Sequence, residues 1–394
     1  MSAAQGVSLI VLNLNGQEHL ERLFGSLSAL DYPREKLEIL FLDNGSTDES
    51  VSIVRERYSE ARVIEFGENL GFAAAMNRGA AEASNEILVF LNNDLRVEPD
   101  FLGHLVRPIE EGRADASAAK MLSWDEREVQ FSRGGTNFHG IAFQHGLGEP
   151  DGPDHSVGGE TLFGCGAALA IPAKLFLEVG GFDDGFFAYY EDVDLGWRLW
   201  VLGYTVVTVP EARVYHHHSA TSLKIDLHKI RVLHLRNPMM MIFKNYEQAN
   251  LEKVLPAALL LSARRTWYLS GVDQHDFRIG REVETAERRG LLKRTRARRE
   301  YEEAMSVPKL VVSDLVAVND IVTGCPDLVE KRAWIQERRK RADRDILPLF
   351  LDPFRHAEAN PEYMAAQAEL CRFFGIDEIF RAAGCEVESA KTVR

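Results

Sequence analysis

Residues 37–48 read LEILFLDNGSTD, an apolar run from Leu37 to Leu42 that stops on Asp43 and passes into a cluster of turn formers. Apolar residues bounded by Asn, Gly, Ser and Asp predict a short strand over Leu37–Asp43, and Thr47-Asp48 supplies capping chemistry for a helix over Ser50–Glu60. The same unit repeats on both sides. Strands are predicted at Val7–Leu12, Arg62–Phe66 and Glu86–Leu91, and helices at Glu18–Ala29 and Ala73–Ala83. The order β-α-β-α-β-α-β is that of a largely parallel sheet with crossover helices. In such sheets ligands bind beyond the carboxyl ends of the strands. Each predicted strand ends in a polar stretch: Asn13-Leu14-Asn15-Gly16, Asp43 to Asp48, Gly67-Glu68-Asn69-Leu70-Gly71 and Asn92-Asn93-Asp94. Four polar ends therefore face one crevice.

The remainder of the chain sets the limits. Its 394 residues exceed one ordinary domain, and 45% apolar with 27% charged residues is globular composition. With 46 basic against 60 acidic side chains the net charge is −14, the wrong sign for a surface that grips nucleic acid throughout. Cys165, Cys325, Cys371 and Cys385 show no metal-finger spacing and suit a reducing compartment. No basic-then-apolar leader opens the sequence, and no apolar run approaches the roughly 20 residues of a membrane span. Residues 121–160, rich in Gly and His, predict a mixed or antiparallel excursion with mobile loops. Residues 163–218 read strand, short helix, turn, helix, strand, with a turn at Pro210-Glu211-Ala212 before three histidines. Beyond Leu223 the pattern becomes helical. The expected division is a catalytic domain over 1–225 and a helical region over 226–394.

Three segments carry chemistry. Asn92-Asn93-Asp94 offers hard oxygen ligands at a strand end, which suits Mg²⁺ or Mn²⁺ completed by a diphosphate and water; alone, it reads equally as an Asx-rich turn. Within Tyr190-Glu191-Asp192-Val193-Asp194, helical spacing puts Glu191, Asp194 and Arg198 on one face and Asp192 on another. Asp194 and Arg198, four apart, make a helix ion pair. Asp192 is the candidate base, and Gly196, four residues on, is expected to leave room above it for a substrate hydroxyl. His216 and His218 share one face of an extended segment and His217 takes the other.

In order along the chain, VSLIVLNLNG (7–16), FLDNGSTDES (41–50), ENLGFAAAMNRG (68–79), FLNNDLRVEPDFL (90–102), GCGAALAIP (164–172), GGFDDGFFAYYEDVDLGWRL (180–199) and PEARVYHHHSATS (210–222) resemble the inverting glycosyltransferase family 2, on the GT-A fold, and especially its rhamnosyltransferase-like members. The resemblance covers about residues 6–245. It implies an α/β, Rossmann-like mixed sheet for nucleotide-sugar binding, followed by a mainly helical C-terminal region. It implies a donor site at Asn13, Asp43, Asn77 and Asn93, a metal on Asp94 and His216, and Asp192 as catalytic base with Glu191 beside it. Asn92 stands where the family's DxD motif has its first acid, so one anionic ligand is missing. A QxxRW motif, the mark of processive synthases, is absent, and transfer of a single sugar is implied.

The function expected is inverting, metal-assisted transfer of one sugar from dTDP-rhamnose or a UDP-sugar to a hydroxyl of a lipid-linked glycan or polysaccharide. A nucleotidyltransferase is one alternative, disfavoured by the lack of a Gly-rich loop with a downstream Lys, and a non-catalytic sugar-nucleotide or glycan-binding scaffold is another. No nucleic acid partner is expected. The chain is expected in the cytoplasm, with peripheral contact at the inner face of the membrane or self-association as roles for residues 226–394. Eight basic residues against four acidic over 281–300, and seven against three over 331–345, raise that membrane expectation; the alternative is that both are solvated helix faces.

Overall fold

A computed structural model of the chain describes residues 5–217, 226–270 and 308–387. The alternating first part is β1 (Val7–Asn13), α1 (Gln17–Ser28), β2 (Leu37–Asp43), α2 (Ser50–Arg57), β3 (Ala61–Glu65), α3 (Gly71–Glu82) and β4 (Ile87–Asn92). Each predicted element is present, with ends moved by one to three residues. β1 pairs in parallel with β2 and β4, and β2 with β3. Leu9, Ile10, Leu40, Leu42, Val89 and Phe90 are all fully or almost fully buried, because helices cover both faces of a parallel sheet and leave no solvated side to alternate toward.

The chain then adds β5 (Leu95–Val97), α4 (Phe101–Glu110), β6 (Ala116–Ser123), β7 (Val129–Phe131), β8 (Arg133–Thr136), β9 (Ala142–His145), β10 (Gly159–Glu160), β11 (Ala168–Pro172), α5 (Ala173–Glu178), α6 (Glu191–Val201) and β12 (Val206–His216). The main sheet runs β10-β12-β6-β11-β4-β1-β2-β3, with β5 on β12 and β7 on β6. β11 is antiparallel to both β4 and β6, which makes the sheet mixed, and β8 and β9 form a separate antiparallel hairpin. The predicted turn at Pro210 is instead an irregularity inside β12, where its register against β6 shifts between Val209 and Arg213. A bulge tolerates a proline that lacks the ladder N–H.

Helices follow: α7 (Leu227–Asn245), α8 (Gln248–Ser270), α9 (Lys309–Thr323), α10 (Cys325–Glu337), α11 (Asp343–Ile346), α12 (Pro361–Phe373) and α13 (Ile376–Ala382). They share one apolar cluster with the sheet. At the junction Trp197 of α6 meets Tyr246 and Phe350 edge-on, with ring centroids 4.9 and 5.0 Å away. Among the described residues no helix is long and apolar enough to cross a membrane.

The basic run over 331–345 is divided: Arg338, Lys340 and Arg344 are exposed, as a solvated face would have them, and the others turn inward. Arg332 donates to the carbonyls of Phe243 and Tyr246, Arg339 to that of Asn245, and Arg341 to that of Tyr204. Three of these carbonyls close the C-terminus of α7, where the helix leaves acceptors unfilled and the dipole favours cations. Lys331 pairs with Asp183 at 2.6 Å. These charges are spent inside the protein. The other basic run, 281–300, lies outside the described residues, as do His218 and the expected boundary near residue 225.

Candidate active site

The register of the sheet brings the polar strand ends together. Asn13 pairs with Asp43, and Leu12 with Asn92, so the ends of β2, β1 and β4 lie side by side. Chain order reverses at β1, whose neighbours are β2 and β4, and this is the switch point where a crevice opens. Asn13 is fully buried there; its amide donates to Ser46 Oγ at 3.0 Å and its Oδ1 accepts from Asn93 Nδ2 at 2.6 Å. Asp43 Oδ2 accepts from the Ser46 N–H at 3.2 Å, while its Oδ1 is buried without a partner. A buried carboxylate oxygen left open costs about 1–3 kcal/mol unless a donor reaches it, and a ribose hydroxyl or nucleobase N–H is such a donor. Ser46, which also accepts from the Asn15 N–H at 2.9 Å, is the hub that sequence reading passed over as one residue of a turn.

Asn77 is not gathered into this group. Its Nδ2 donates to Phe182 O at 2.8 Å and Asp184 Oδ1 at 2.5 Å, and its Oδ1 accepts from the Phe182 N–H at 2.9 Å. The side chain staples α3 to the 182–184 turn, and its amide is occupied within the protein. The resemblance implied a place for it in the donor site but could not show which neighbour it meets.

Asp94 lies in the tight turn between β4 and β5, and β5 pairs with the end of β12 so that His216 stands opposite Leu95. His216 Nε2 is 3.1 Å from Asp94 Oδ2, and its Nδ1 is 2.6 Å from Gln130 Oε1. An amide oxygen accepts only, so Nδ1 donates to it and Nε2 is the ring nitrogen that faces the carboxylate. Two electron-pair donors face each other at 3.1 Å only with something positive between them, a proton or a cation. Adjacent ligands of an octahedral ion with bonds of about 2.1 Å stand about 3 Å apart, so this pair fits Mg²⁺ or Mn²⁺. Gln130 does for the imidazole what second-shell acceptors do for metal-bound histidines, fixing tautomer and orientation. Among the described residues no third His, Cys, Asp or Glu joins them, which leaves further positions to diphosphate and water.

Asp192 begins α6 beside this site. Its Oδ2 accepts from the Gly166 N–H at 2.8 Å and its Oδ1 from the Val193 N–H at 2.8 Å. Gly166 belongs to the segment that leads into β11, whose Ala167 carbonyl accepts from the Asn92 N–H at 3.2 Å. One short segment thus joins Asp192 to the strand end that leads to Asp94. Between them lies Cys165, whose thiol is pushed up to about 12 by burial and by the charges of Asp192, Glu191 and Asp94. Burial also raises the Asp192 carboxyl above its ordinary value, with the two N–H donors working against that rise. Glu191 is raised well above the usual range, first by burial and then by the charge of Asp192, and its Oε2 has no partner. Burial and the charge of Asp192 thus both favour the neutral form of Glu191, and two N–H donors favour the charged form of Asp192.

The neighbouring residues of α6 are structural. Asp194 is fully buried, 3.4 Å from Arg198, 3.0 Å from Lys244 Nζ and 3.0 Å from Asn245 Nδ2. The expected ion pair is therefore one edge of a network that ties α6 to α7. The space expected above Asp192 at Gly196 does not exist. A Cβ at Gly196 would lie 2.5 Å from Phe163 Cα and 2.6 Å from Leu162 O, so this glycine lets the 162–163 backbone lie flat on the helix. Gly196→Ala is expected to lower stability by about 1–3 kcal/mol, as overpacking does; an unchanged denaturation midpoint would contradict that close packing.

The entry to α6 is strained. Among the described residues six non-glycine residues have positive φ, and three of them, Phe187 (63°), Tyr189 (66°) and Tyr190 (71°), directly precede Glu191 and Asp192. Each such residue costs about 1–3 kcal/mol and persists only where its surroundings hold it.

Known proteins resemble this chain in the same places. The glycosyl transferase family 2 model matches residues 8–177. The chain is 32% identical over 228 residues to the O-antigen biosynthesis protein RfbC of Myxococcus xanthus, which is 55% of this chain and 17% of that protein. It is 31% identical over 230 residues to the N-acetylglucosaminyl-diphospho-decaprenol L-rhamnosyltransferase of Mycobacterium tuberculosis, 50% of this chain and 72% of that one. The crystal structure of GalNAc-T7 with UDP, GalNAc and Mn²⁺ superposes with a TM-score of 0.55 at 18% identity, over 72% of this chain and 55% of that chain, and shares its fold. A mixed sheet with its polar strand ends at one crevice, a family model that begins at β1, and a rhamnosyltransferase relative matched over most of its own length lead to one assignment: the chain belongs to glycosyl transferase family 2, on the GT-A fold.

Proposed function

We propose that the chain transfers a single sugar, with inversion, from a nucleoside-diphosphate sugar to a hydroxyl of a lipid-linked glycan or polysaccharide, with dTDP-rhamnose as the first donor to test and UDP-sugars as the second. The observation that carries this reading is the setting of Asp192: a carboxylate raised by burial, oriented by the Gly166 N–H and joined through residues 165–167 to the Asp94–His216 pair. The M. tuberculosis relative is named for L-rhamnose and a diphospho-decaprenol acceptor, which supports the same donor and acceptor class here.

Asp43 and Asn13, with Asn93 behind them, receive the nucleoside, the open Oδ1 of Asp43 accepting from it. Asp94 and His216 would hold Mg²⁺ or Mn²⁺, and such an ion would supply positive charge to balance the leaving diphosphate. Asp192 takes the proton of the acceptor hydroxyl. The freed oxygen forms its bond to the anomeric carbon from the face opposite the diphosphate, whose bond to that carbon breaks with both electrons. One attack from the opposite face inverts the centre. Burial and the charge of Asp192 raise the Glu191 carboxyl, which disfavours a second negative charge beside the base.

The test is turnover with dTDP-rhamnose, UDP-N-acetylglucosamine and UDP-galactose, each with and without a synthetic N-acetylglucosaminyl-diphospho-lipid. Nucleoside diphosphate release that rises with acceptor, and a product of inverted anomeric configuration by NMR, are expected from one donor. Release from none would leave a binding scaffold as the better reading.

Gln130→Leu gives a separate check on the metal pair. Loss of the acceptor at Nδ1 frees the imidazole tautomer and is expected to weaken Mn²⁺ binding by about 10-fold, read by electron paramagnetic resonance in the presence of nucleoside diphosphate. Unchanged affinity would remove His216 from the ligand set.

A further inference from the structure

The strained turn before Asp192 has a buried point of support in the helical region. Asn237 of α7 is fully buried. Its Nδ2 donates to three carbonyls of the turn: Phe186 at 3.1 Å, Ala188 at 3.0 Å and Tyr189 at 2.7 Å. Its Oδ1 accepts from Arg236 Nε at 3.0 Å, and Arg236 itself donates to Gly185 O at 2.9 Å and Phe186 O at 3.2 Å. Three carbonyl oxygens turned onto one point repel one another unless a donor lies between them. A neutral amide supplies two hydrogens there without bringing a charge into the core.

The other side of the turn rests on the donor half of the sheet. Phe187 O accepts from the Phe72 N–H at 2.6 Å and the Ala73 N–H at 3.3 Å, at the start of α3. Gly71, at φ +81°, permits that approach, since a Cβ there would lie 2.5 Å from Phe187 O. The segment between these supports is the one with three positive φ values, and it runs without interruption into Glu191 and Asp192. Tyr190, the residue before the helix, has φ 71° and ψ −3°, and its side chain makes no cap. Lower on the same helix pair, Lys244 and Asn245 of α7 hold Asp194.

We infer that Asn237 is a positioning residue for the reaction: by gathering the carbonyls of residues 186, 188 and 189 it holds the strained turn that sets the direction of the Asp192 carboxylate. This rests on Asp192 being the base. It gives α7 a part in the chemistry without contact with either substrate, and it means that residues 1–225 alone lack a fixed base. The strain gives the arrangement its sensitivity. Without the amide, Phe187, Tyr189 and Tyr190 relax toward ordinary backbone angles and the start of α6 moves with them.

The experiment is a double-mutant cycle with Asp192→Asn, using dTDP-rhamnose and the synthetic N-acetylglucosaminyl-diphospho-lipid, or whichever donor turns over. Asn237→Asp, the same shape with no donor hydrogen, is expected to lower kcat by about 10- to 100-fold while the donor KM stays within about threefold. In the Asp192→Asn background it is expected to change the rate by less than about twofold, because a residue acting through the base has nothing left to position. Asn237→Ser, which keeps one donor, should fall between wild type and Asn237→Asp; it also serves the cycle should the aspartate variant fail to fold. Losses that multiply in the double variant, or a donor KM that rises in step with the fall in kcat, would overturn the inference. A wild-type rate for Asp192→Asn alone would instead overturn the base assignment, and the inference with it.

Discussion

Asp192→Asn is expected to lower transfer by roughly 10²-fold or more, the scale of lost general-base catalysis, with donor affinity preserved. The amide oxygen of asparagine can still accept from the Gly166 N–H, while the Val193 N–H loses its side-chain acceptor. The amide cannot take a proton from a hydroxyl. The pH dependence has a definite direction: Asp192 must be ionised to act, and burial raises its carboxyl, so transfer should climb with pH along a limb above the ordinary aspartate range. Glu191 separates the two acids. It is raised well above its ordinary value by burial and by the charge of Asp192, which favours its protonated form, and Glu191→Gln, which imitates a protonated acid, should retain most activity. Stability carries the opposite mark. A carboxyl raised in the fold contributes stability that is present below its unfolded pKa and lost as pH rises through the folded value. Both neutral variants should therefore melt at or above the wild-type temperature at neutral pH. Wild-type transfer by Asp192→Asn would exclude it as the base, and a large loss from Glu191→Gln would show that the neighbouring acid works ionised.

The sheet and its crevice were legible because two signals coincide. Runs such as Ile39 to Leu42 and Leu88 to Leu91 are buried on both faces of the parallel sheet, and each stops at a polar residue beside the crevice. Asn13, Asp43 and Asp94 could be placed from those stops alone. What sequence could not carry is direction across elements. Gly166 acts through a backbone N–H, which leaves no mark in residue type. Gln130 sits in a three-residue strand within a weakly periodic stretch, and its partner His216 is 86 positions away. Gly196 looked like open space because its helix neighbours are known from spacing while the 162–163 segment lying on it is not. Arginines over 331–345 misled in the same way: their number is visible in the sequence, but their turning inward onto the end of α7 is a property of packing. Asn237 is the most distant case, reaching back 48 to 51 residues to the turn it holds.

Asp94→Ala is expected to have the other large effect, a fall in transfer of about 10²-fold or more, the scale of removing a group that stabilises charge growing in the transition state. It removes the carboxylate whose Oδ2 faces His216 Nε2 at 3.1 Å, and Asn92, where the resembling motif has an acid, brings no charge to replace it. A neutral imidazole holds a hard divalent ion less firmly than a carboxylate, so His216→Ala should cost less than Asp94→Ala. The comparison that isolates the cause is calorimetry of nucleoside diphosphate with Mn²⁺ and with EDTA. Wild-type protein should bind far more tightly with the ion, and Asp94→Ala should bind about equally weakly in both. Asp43 and Asn13 remain in place in that variant, so residual affinity without metal reports the nucleoside half of the crevice alone. Transfer that survives EDTA would mean that protein groups by themselves neutralise the leaving diphosphate, and the effect of Asp94→Ala would then have to be explained through His216, whose imidazole would have lost the carboxylate that orients it.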